Sequence, residues 1–417
     1  MTFSFKAQYG TWLIFACFLL FPFKRSVELP LLIMAISGAF LAYKYRDTLF
    51  RAQPVKLFTL LFACIWLPIL ASFPDSYDLE KSGGTALSFL RLYLAGLFVI
   101  WVLSDEAQAS LLSKLLAGLA AFWVVDALFQ ALTGHNFLGF TPVGPRINGV
   151  FGEVNPKLGN ALPVIAPFLI LALRRHLALM LIAALLTGAI VILAGSRGGW
   201  VSYGVVCVWL VFAETRRRNV PFWKTGVVVL LAVAIGAFAA FESPGAKKRL
   251  DQTLLLFSGD ETKIDEALSN RWTLWKDAFA MIEAHPINGV GARAFRYAYP
   301  DFAAPGDPFV SVDQASGQAT GAFYAHQIAM EVTSETGIVG LAGLGLFYWL
   351  LIQHWRKAKR EYRLRSLPFA MGAMAWVFPL NTHPAFYSAQ WSVMIWLAIA
   401  MTCATLIPLQ KPAARAA

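Results

Sequence analysis

The stretch Leu177–Trp200, LALMLIAALLTGAIVILAGSRGGW, decides the fold class. Between Leu177 and Ala194 its one polar side chain is Thr187, and the run then breaks at Gly195-Ser196-Arg197-Gly198-Gly199. An α-helix needs about 17–25 such residues to cross the hydrocarbon core of a bilayer. Reading outward in both directions, comparable runs recur at 9–23, 27–43, 56–73, 87–103, 111–132, 158–173, 177–195, 200–213, 225–241, 334–353, 367–380 and 387–408, twelve spans in all. Composition agrees. Of 417 residues 58% are hydrophobic and 14% charged, about half the charge that a water-facing surface requires. A soluble enzyme, a disordered regulator and a DNA-binding module are excluded. The sequence predicts an all-α polytopic membrane protein.

The net charge of +11 invites a nucleic-acid partner, but its distribution argues against one. Much of it sits in short loops, at Lys44, Arg46, Arg51 and Lys56, at Arg174 and Arg175, at Arg216, Arg217, Arg218 and Lys224, and from Arg356 to Arg365. That is the pattern of cytoplasmic loops. It puts both termini in the cytoplasm and the loops 74–86, 133–157, 195–199, 242–333 and 381–386 on the outer face. Lys24-Arg25 follows the first apolar run where a signal peptide would show small residues, so that run reads as a retained span. Cys17, Cys64, Cys207 and Cys403 all fall inside apolar runs and read as buried hydrophobes.

The chain divides into spans one to nine (1–241), a long outer loop (242–333), and spans ten to twelve with a cytoplasmic tail (334–417). A loop of about 90 residues is far longer than a connector, and such loops are usually functional. Within it Trp272, Trp275, Phe279 and Ile282 recur at helical spacing. That stripe suits a helix lying on the membrane or packing within its own loop.

The polar residues of the outer face are few. Arg197 lies in an apolar stretch, where an arginine costs roughly 2.5–3.5 kcal/mol on insertion scales. Its glycine-flanked setting at a helix start suits an anion site, and a snorkelling side chain is the alternative. Arg146, in PRINGVFGEVNPK from Pro145 to Lys157, could cradle a phosphate or simply mark a turn. Arg271 opens the amphipathic helix, where a cation is electrostatically disfavoured. His326 leads into a span on the outer face and, with an ordinary pKa near 6.5, suits a general base. His383 in the last outer loop is a second polar contact. No Walker motif, HExxH or dinucleotide fingerprint is present, and Asp75, Asp78, Asp301, Asp307 and Asp313 are scattered rather than paired for a metal. Asp126 is the plainly intramembrane carboxylate.

These strings, in order, resemble the O-antigen ligase and polymerase superfamily. They are Asn270-Arg271-Trp272 with Trp275; His285-Pro286-Ile287-Asn288-Gly289-Val290-Gly291 with Phe295; Ala325-His326-Gln327 with Glu331; and Glu335-Thr336-Gly337-Ile338-Val339-Gly340-Leu341. Arg146-x-x-Gly149-x-Phe151 with Asn155 and the Ser196-Arg197-Gly198 break also stand where that family has such residues. The resemblance covers roughly 140–345. Where many relatives have His-x-His-Asn, this chain has Tyr324-Ala325-His326-Gln327.

The resemblance implies a C-type polytopic glycosyltransferase of the bacterial inner membrane, with a large periplasmic loop and a site facing the periplasm. It would move O-antigen from undecaprenyl pyrophosphate to lipid A–core, with inversion and without metal or other cofactor. His326 matches the base, Arg197 and Arg271 match the arginines that hold the pyrophosphate, and Arg146 matches more loosely. Asn155, Lys157, Gln327 and His383 are further candidate substrate contacts. Compact length and a single long loop fit the ligase; a polymerase and a protein O-oligosaccharyltransferase are the alternatives. A secondary transporter is the alternative from another class, with Asp126 in its favour. Its polar residues would be expected in matched positions of two halves, whereas here they gather on one face.

Overall fold

The computed structural model describes residues 3–152, 157–221, 223, 251–252, 254–312, 317–382 and 385–408. The chain runs through α1 (Phe3–Leu20), α2 (Glu28–Lys44), α3 (Arg46–Leu49), α4 (Gln53–Ala71), α5 (Leu79–Leu103), α6 (Glu106–Thr133), α7 (Leu158–Ala172), α8 (Leu177–Leu193) and α9 (Arg197–Arg218). The long loop then contributes α10 (Glu261–Leu268), α11 (Arg271–Ala284), α12 (Phe295–Phe302) and the strands β1 (Ser311–Val312) and β2 (Ala319–Thr320), paired antiparallel with Ser311 opposite Thr320. The last helices are α13 (Ile328–Lys357), α14 (Arg360–Val377) and α15 (Ala389–Leu406).

Every expected span coincides with a helix except 225–241, which lies outside the described residues. Among the described residues seven helices are long and apolar enough to cross a membrane: α2, α4, α5, α6, α9, α13 and α15. The Gln8–Leu20 part of α1, and the apolar α7 and α8, are shorter. The all-α polytopic class stands. Two boundaries differ from expectation in ways that matter: Arg197 is the first residue of α9 rather than part of a connector, and α13 begins at Ile328, ahead of 334.

The centre of the bundle is α15, in which every residue from Trp391 to Leu406 is buried. A helix apolar all round has no face to give to lipid or water. Its polar members are satisfied within the helix, Thr402 and Thr405 each donating to the carbonyl one turn back at 2.8 Å. Close helix packing in a bilayer depends on small residues. Gly199 of α9 lies so near α7 that a Cβ there would sit 2.0 Å from the Gly159 carbonyl oxygen. The residue four positions after Gly159 is Pro163, which has no N–H to offer that oxygen.

α13 is broken at Gly337, whose backbone (φ 64, ψ −161) is far from helical. The segment 285–291 docks into the break. Val290 and Gly291 donate their amides to the Ser334 and Glu335 carbonyls at 2.9 Å each, and Ile338 donates to Pro286 at 2.8 Å. A Cβ on Gly337 would meet the Ile287 oxygen at 2.0 Å. The strings HPINGVG and ETG, far apart in sequence, are thus the two sides of one contact. The same segment is tied to the α4–α5 connection, Tyr77 donating its amide to the Val290 carbonyl at 3.0 Å and Asn288 its side-chain amide to Asp75 at 3.0 Å.

In α11 the buried face is Leu274, Asp277, Ala278 and Met281, packed with Val290, Phe295, Ala298 and Tyr299. The stripe expected to pack is rotated away from it: Trp272, Trp275 and Ile282 are half-buried and Phe279 is 53% exposed.

Candidate functional site

The segment that carries Arg146 is shaped by two buried polar residues of α6. Asp126 accepts the Phe137 amide at 2.9 Å and the Asn136 side chain at 3.4 Å. Gln130 accepts the amides of Asn148 and Gly149 at 2.8 Å each and donates to the Phe140 carbonyl at 3.0 Å. Asn148 in turn accepts the amides of Lys157 and Leu158, closing the loop onto the start of α7. An unpartnered polar group costs most where water is excluded, so these bonds explain why a carboxylate is tolerated inside α6. Asp126, by sequence the plainly intramembrane carboxylate and the residue in favour of a transporter, holds a loop. That loop presents Arg146 from a tight bridge with Val143, whose amide donates to the Arg146 carbonyl at 2.9 Å.

Arg146 and Arg197 meet at the α8–α9 break. Gly195 has φ 68, and a Cβ there would lie 2.9 Å from the Arg146 Cγ, so the glycine makes room for that side chain. Ser196 caps α9, accepting the Gly199 amide at 3.2 Å and donating to Asn160 at 2.7 Å. One of the helix-start amides expected to face an anion is therefore already bonded. Arg197 reaches out of the bundle into the long loop. Its guanidinium donates to the Ala267 carbonyl and to the Ser269 hydroxyl, the latter at 2.6 Å.

Arg271 follows directly. Ser269 and Asn270 both have left-handed backbone (φ 58 and 60) and turn the chain from α10 into α11. A cation in the first turn of a helix is unfavourable, and α10 supplies the compensation. Asp265 accepts the Trp272 and Thr273 amides at 2.9 and 3.2 Å and the Thr273 hydroxyl at 2.6 Å. Burial holds the Arg271 pKa below the usual arginine value, the charge of Arg197 acts in the same sense, and Tyr324 opposes them. Among the described residues Arg146, Arg197 and Arg271 stand as three half-buried guanidiniums in series with no carboxylate ion-pair partner, groups able to hold an anion.

His326 stands at the end of this series. Its ring packs on that of Tyr324 with centroids 4.1 Å apart, and its backbone is left-handed (φ 53). For a residue other than glycine that conformation costs of order 1–3 kcal/mol and persists only where the surroundings impose it. The restraints are on both sides. Trp275 of α11 donates to the Ala325 carbonyl at 2.9 Å. Gln327 caps α13, accepting the Met330 amide at 2.6 Å and donating to the Pro379 carbonyl at 2.8 Å. Burial pushes the Tyr324 hydroxyl up from its ordinary pKa, Glu331 acts in the same direction, and Arg271 and Arg293 pull it back.

The remaining expected residues divide. Lys157, just ahead of α7, donates to Gln390 of α15 at 2.7 Å and lies 5.9 Å from the Trp391 ring centroid. Gln327 adjoins His326 with its amide engaged as above. Asn155 and His383 lie outside the described residues. Sequence reading assigned no role to Arg293, Tyr324, Glu331 or Glu335. Glu331 is fully buried and accepts the amides of Phe386 and Tyr387 at 3.0 and 3.1 Å. Glu335, also fully buried, accepts the Arg293 amide at 2.5 Å. Two carboxyls one turn apart at the start of an apolar helix were the signal available, since buried charge calls for a cation.

Among the described residues no three His, Cys, Asp or Glu side chains converge to hold a metal ion. What converges is a row of arginines ending at a histidine: groups able to hold a polyanion and, next to it, to accept a proton. Residues 182–345 match the family model described as O-antigen ligase, which bears out over this stretch the resemblance read from the motifs. The match takes in Arg197, Arg271, Arg293 and His326; Arg146 lies before it. No curated protein matches the chain.

Proposed function

We propose that the chain is a lipid-linked glycosyltransferase of the O-antigen ligase type, moving a polysaccharide from undecaprenyl pyrophosphate to lipid A–core at the periplasmic face of the inner membrane. The observation that carries this reading is that a single family match spans Arg197, Arg271 and His326, which three separate segments bring to one end of the bundle. In the reaction His326 takes the proton of the acceptor hydroxyl as its oxygen bonds to the anomeric carbon of the donor sugar. The bond from that carbon to the pyrophosphate oxygen breaks, and undecaprenyl pyrophosphate leaves with the electron pair. The leaving group is a weak base already, so it needs charge stabilisation rather than a proton, and guanidinium forks supply that. The acceptor hydroxyl is the poor partner and needs the base. One direct displacement inverts the donor carbon.

Deleting the gene and separating lipopolysaccharide on a gel tests the reading. Loss of the ladder with lipid-linked polymer retained supports it. A single-repeat rung points instead to polymerase, and an unaltered ladder rejects both.

Two further results follow from the proposal. With both termini cytoplasmic, β1 faces the periplasm. Ser311→Cys, at an exposed position, should react with an impermeant thiol reagent in spheroplasts above the background of the parent chain, whose cysteines are buried or half-buried. Labelling seen only after lysis reverses the orientation. Purified enzyme should also keep its turnover in EDTA: of the scattered outer-face carboxylates, Asp75 bonds Asn288, Asp78 accepts the Lys81 amide and Asp307 accepts from Tyr299. Activity lost to chelation and restored by Mg2+ or Mn2+ would overturn the arginine-based account of the pyrophosphate.

A further inference from the structure

Phe323 is an aromatic ring left in the open three residues before His326. It is 56% exposed, yet it is not loose. The Arg296 guanidinium lies over the ring, 4.4 Å from its centroid, and donates to the hydroxyl of the buried Thr320 at 3.0 Å. The backbone is tied to the same residue, Gly321 donating its amide to the Arg296 carbonyl at 2.7 Å. A Cβ on Gly321 would meet the Tyr299 ring at 2.3 Å, so the segment lies directly on α12. After the ring, Ala325 is buried in the α11–α12 cluster and its carbonyl accepts from Trp275. Phe323 thus stands between two fixed points of the chain. An apolar ring in water is costly, and holding it still costs rotamer entropy as well. A rigid, open aromatic face recovers both when a ligand covers it.

We propose that Phe323, backed by Arg296, is a saccharide platform of this site, packing against a pyranose ring of the sugar chain that reacts at His326. This rests on the reading of the chain as a glycosyltransferase with His326 as its base. Three residues span at most about 10 Å between Cα atoms, a distance that a short saccharide covers. A pyranose carries its hydroxyls around its rim and C–H bonds on its faces, and those faces pack on an aromatic ring. The guanidinium beside the ring offers N–H donors to the rim hydroxyls. The other partner open to a ring close to a span is the membrane interface. That belt is made of Trp and Tyr, whose polar edges meet the headgroups; a phenylalanine stacked on an arginine has no such edge. Donor and acceptor both present pyranose rings, and kinetics in each substrate separates them.

The test uses the full-length protein in nanodiscs with lipid-linked donor and lipid A–core. Phe323→Leu keeps an apolar side chain and removes the flat face. It should raise KM for one substrate about three- to tenfold, with kcat affected far less. A rise confined to the acceptor places the acceptor on the ring, and one confined to the donor places the donor there. Phe323→Trp should recover most of the loss. Arg296→Met, similar in reach but uncharged, should raise the same KM by a smaller factor. Unchanged KM for both substrates in folded Phe323→Leu overturns the inference, and poor membrane insertion of Phe323→Ser would then assign the ring to the bilayer. Saturation-transfer NMR with delipidated core oligosaccharide and with released O-antigen polysaccharide reads binding without turnover. The signal of one of them should weaken in Phe323→Leu and persist in His326→Ala. If the parent joins no O-antigen to lipid A–core, the functional reading fails and this binding alone decides the platform. If the parent is active and Phe323→Leu matches it throughout, only the platform fails.

Discussion

His326→Ala should lose roughly 10²–10⁴-fold in turnover, the usual worth of general-base help, while donor binding stays nearly intact. The division follows from the geometry. The arginines that would hold the pyrophosphate are placed by α9, by the Ser269–Asn270 turn and by the 134–152 loop. None of these depends on the imidazole. The ring itself is held by the Tyr324 stack and by the strained backbone between Trp275's bond to Ala325 and the Gln327 cap. Deleting it therefore removes the proton acceptor and little else. A kcat loss with unchanged donor affinity identifies a group that works in the transition state, whereas equal loss in affinity identifies a binding group. Full ligation by stably inserted His326→Ala would reject the base assignment and make His383 the next residue to test.

Much of this could be read before any coordinates. A charge-free run long enough for a bilayer permits few structures other than a helix, so the spans followed from composition and spacing alone. Arg197 stood out because an arginine there is expensive, and the glycines around it pointed to close approach. What they approach was not legible: Gly195 makes room for Arg146 and Gly199 for α7, contacts set by chain segments far apart in sequence. The same limit applies to Asp126. Its burial cost was evident, but the amide that relieves it belongs to Phe137, in a loop whose course periodicity does not encode. Which face of α11 packs was not legible for a different reason. Trp272, Trp275, Phe279 and Ile282 and the set Leu274, Ala278 and Met281 both recur at helical spacing, so the pattern fits two adjacent faces. The tertiary contact with Phe295 and Tyr299 chooses the second. Glu331 and Glu335 were visible as an i, i+4 pair, yet nothing local says that the amides they accept come from Phe386, Tyr387 and Arg293.

Arg271→Lys should reduce kcat/KM at least about tenfold although the charge is retained, and Arg271→Ala should reduce it further. Arginine presents a planar fork that spans two phosphate oxygens at once; an ammonium is a point charge on a flexible stem and meets one. The site sharpens the difference. Burial and the neighbouring Arg197 already oppose a charge at this position, and both effects weigh more heavily on lysine, which sheds its proton far more readily than arginine. The lysine variant should accordingly fade further as the pH is raised, while the parent does not. An ordinary structural arginine would behave otherwise, since the α11 start is secured by Asp265 through the Trp272 and Thr273 amides and the Thr273 hydroxyl, none of them part of residue 271. Loss of kcat/KM in a variant that melts with the parent therefore measures contact with the donor. Arg271→Lys with parental kcat/KM across the pH range would remove Arg271 from the pyrophosphate site and leave Arg197 and Arg146 to hold it.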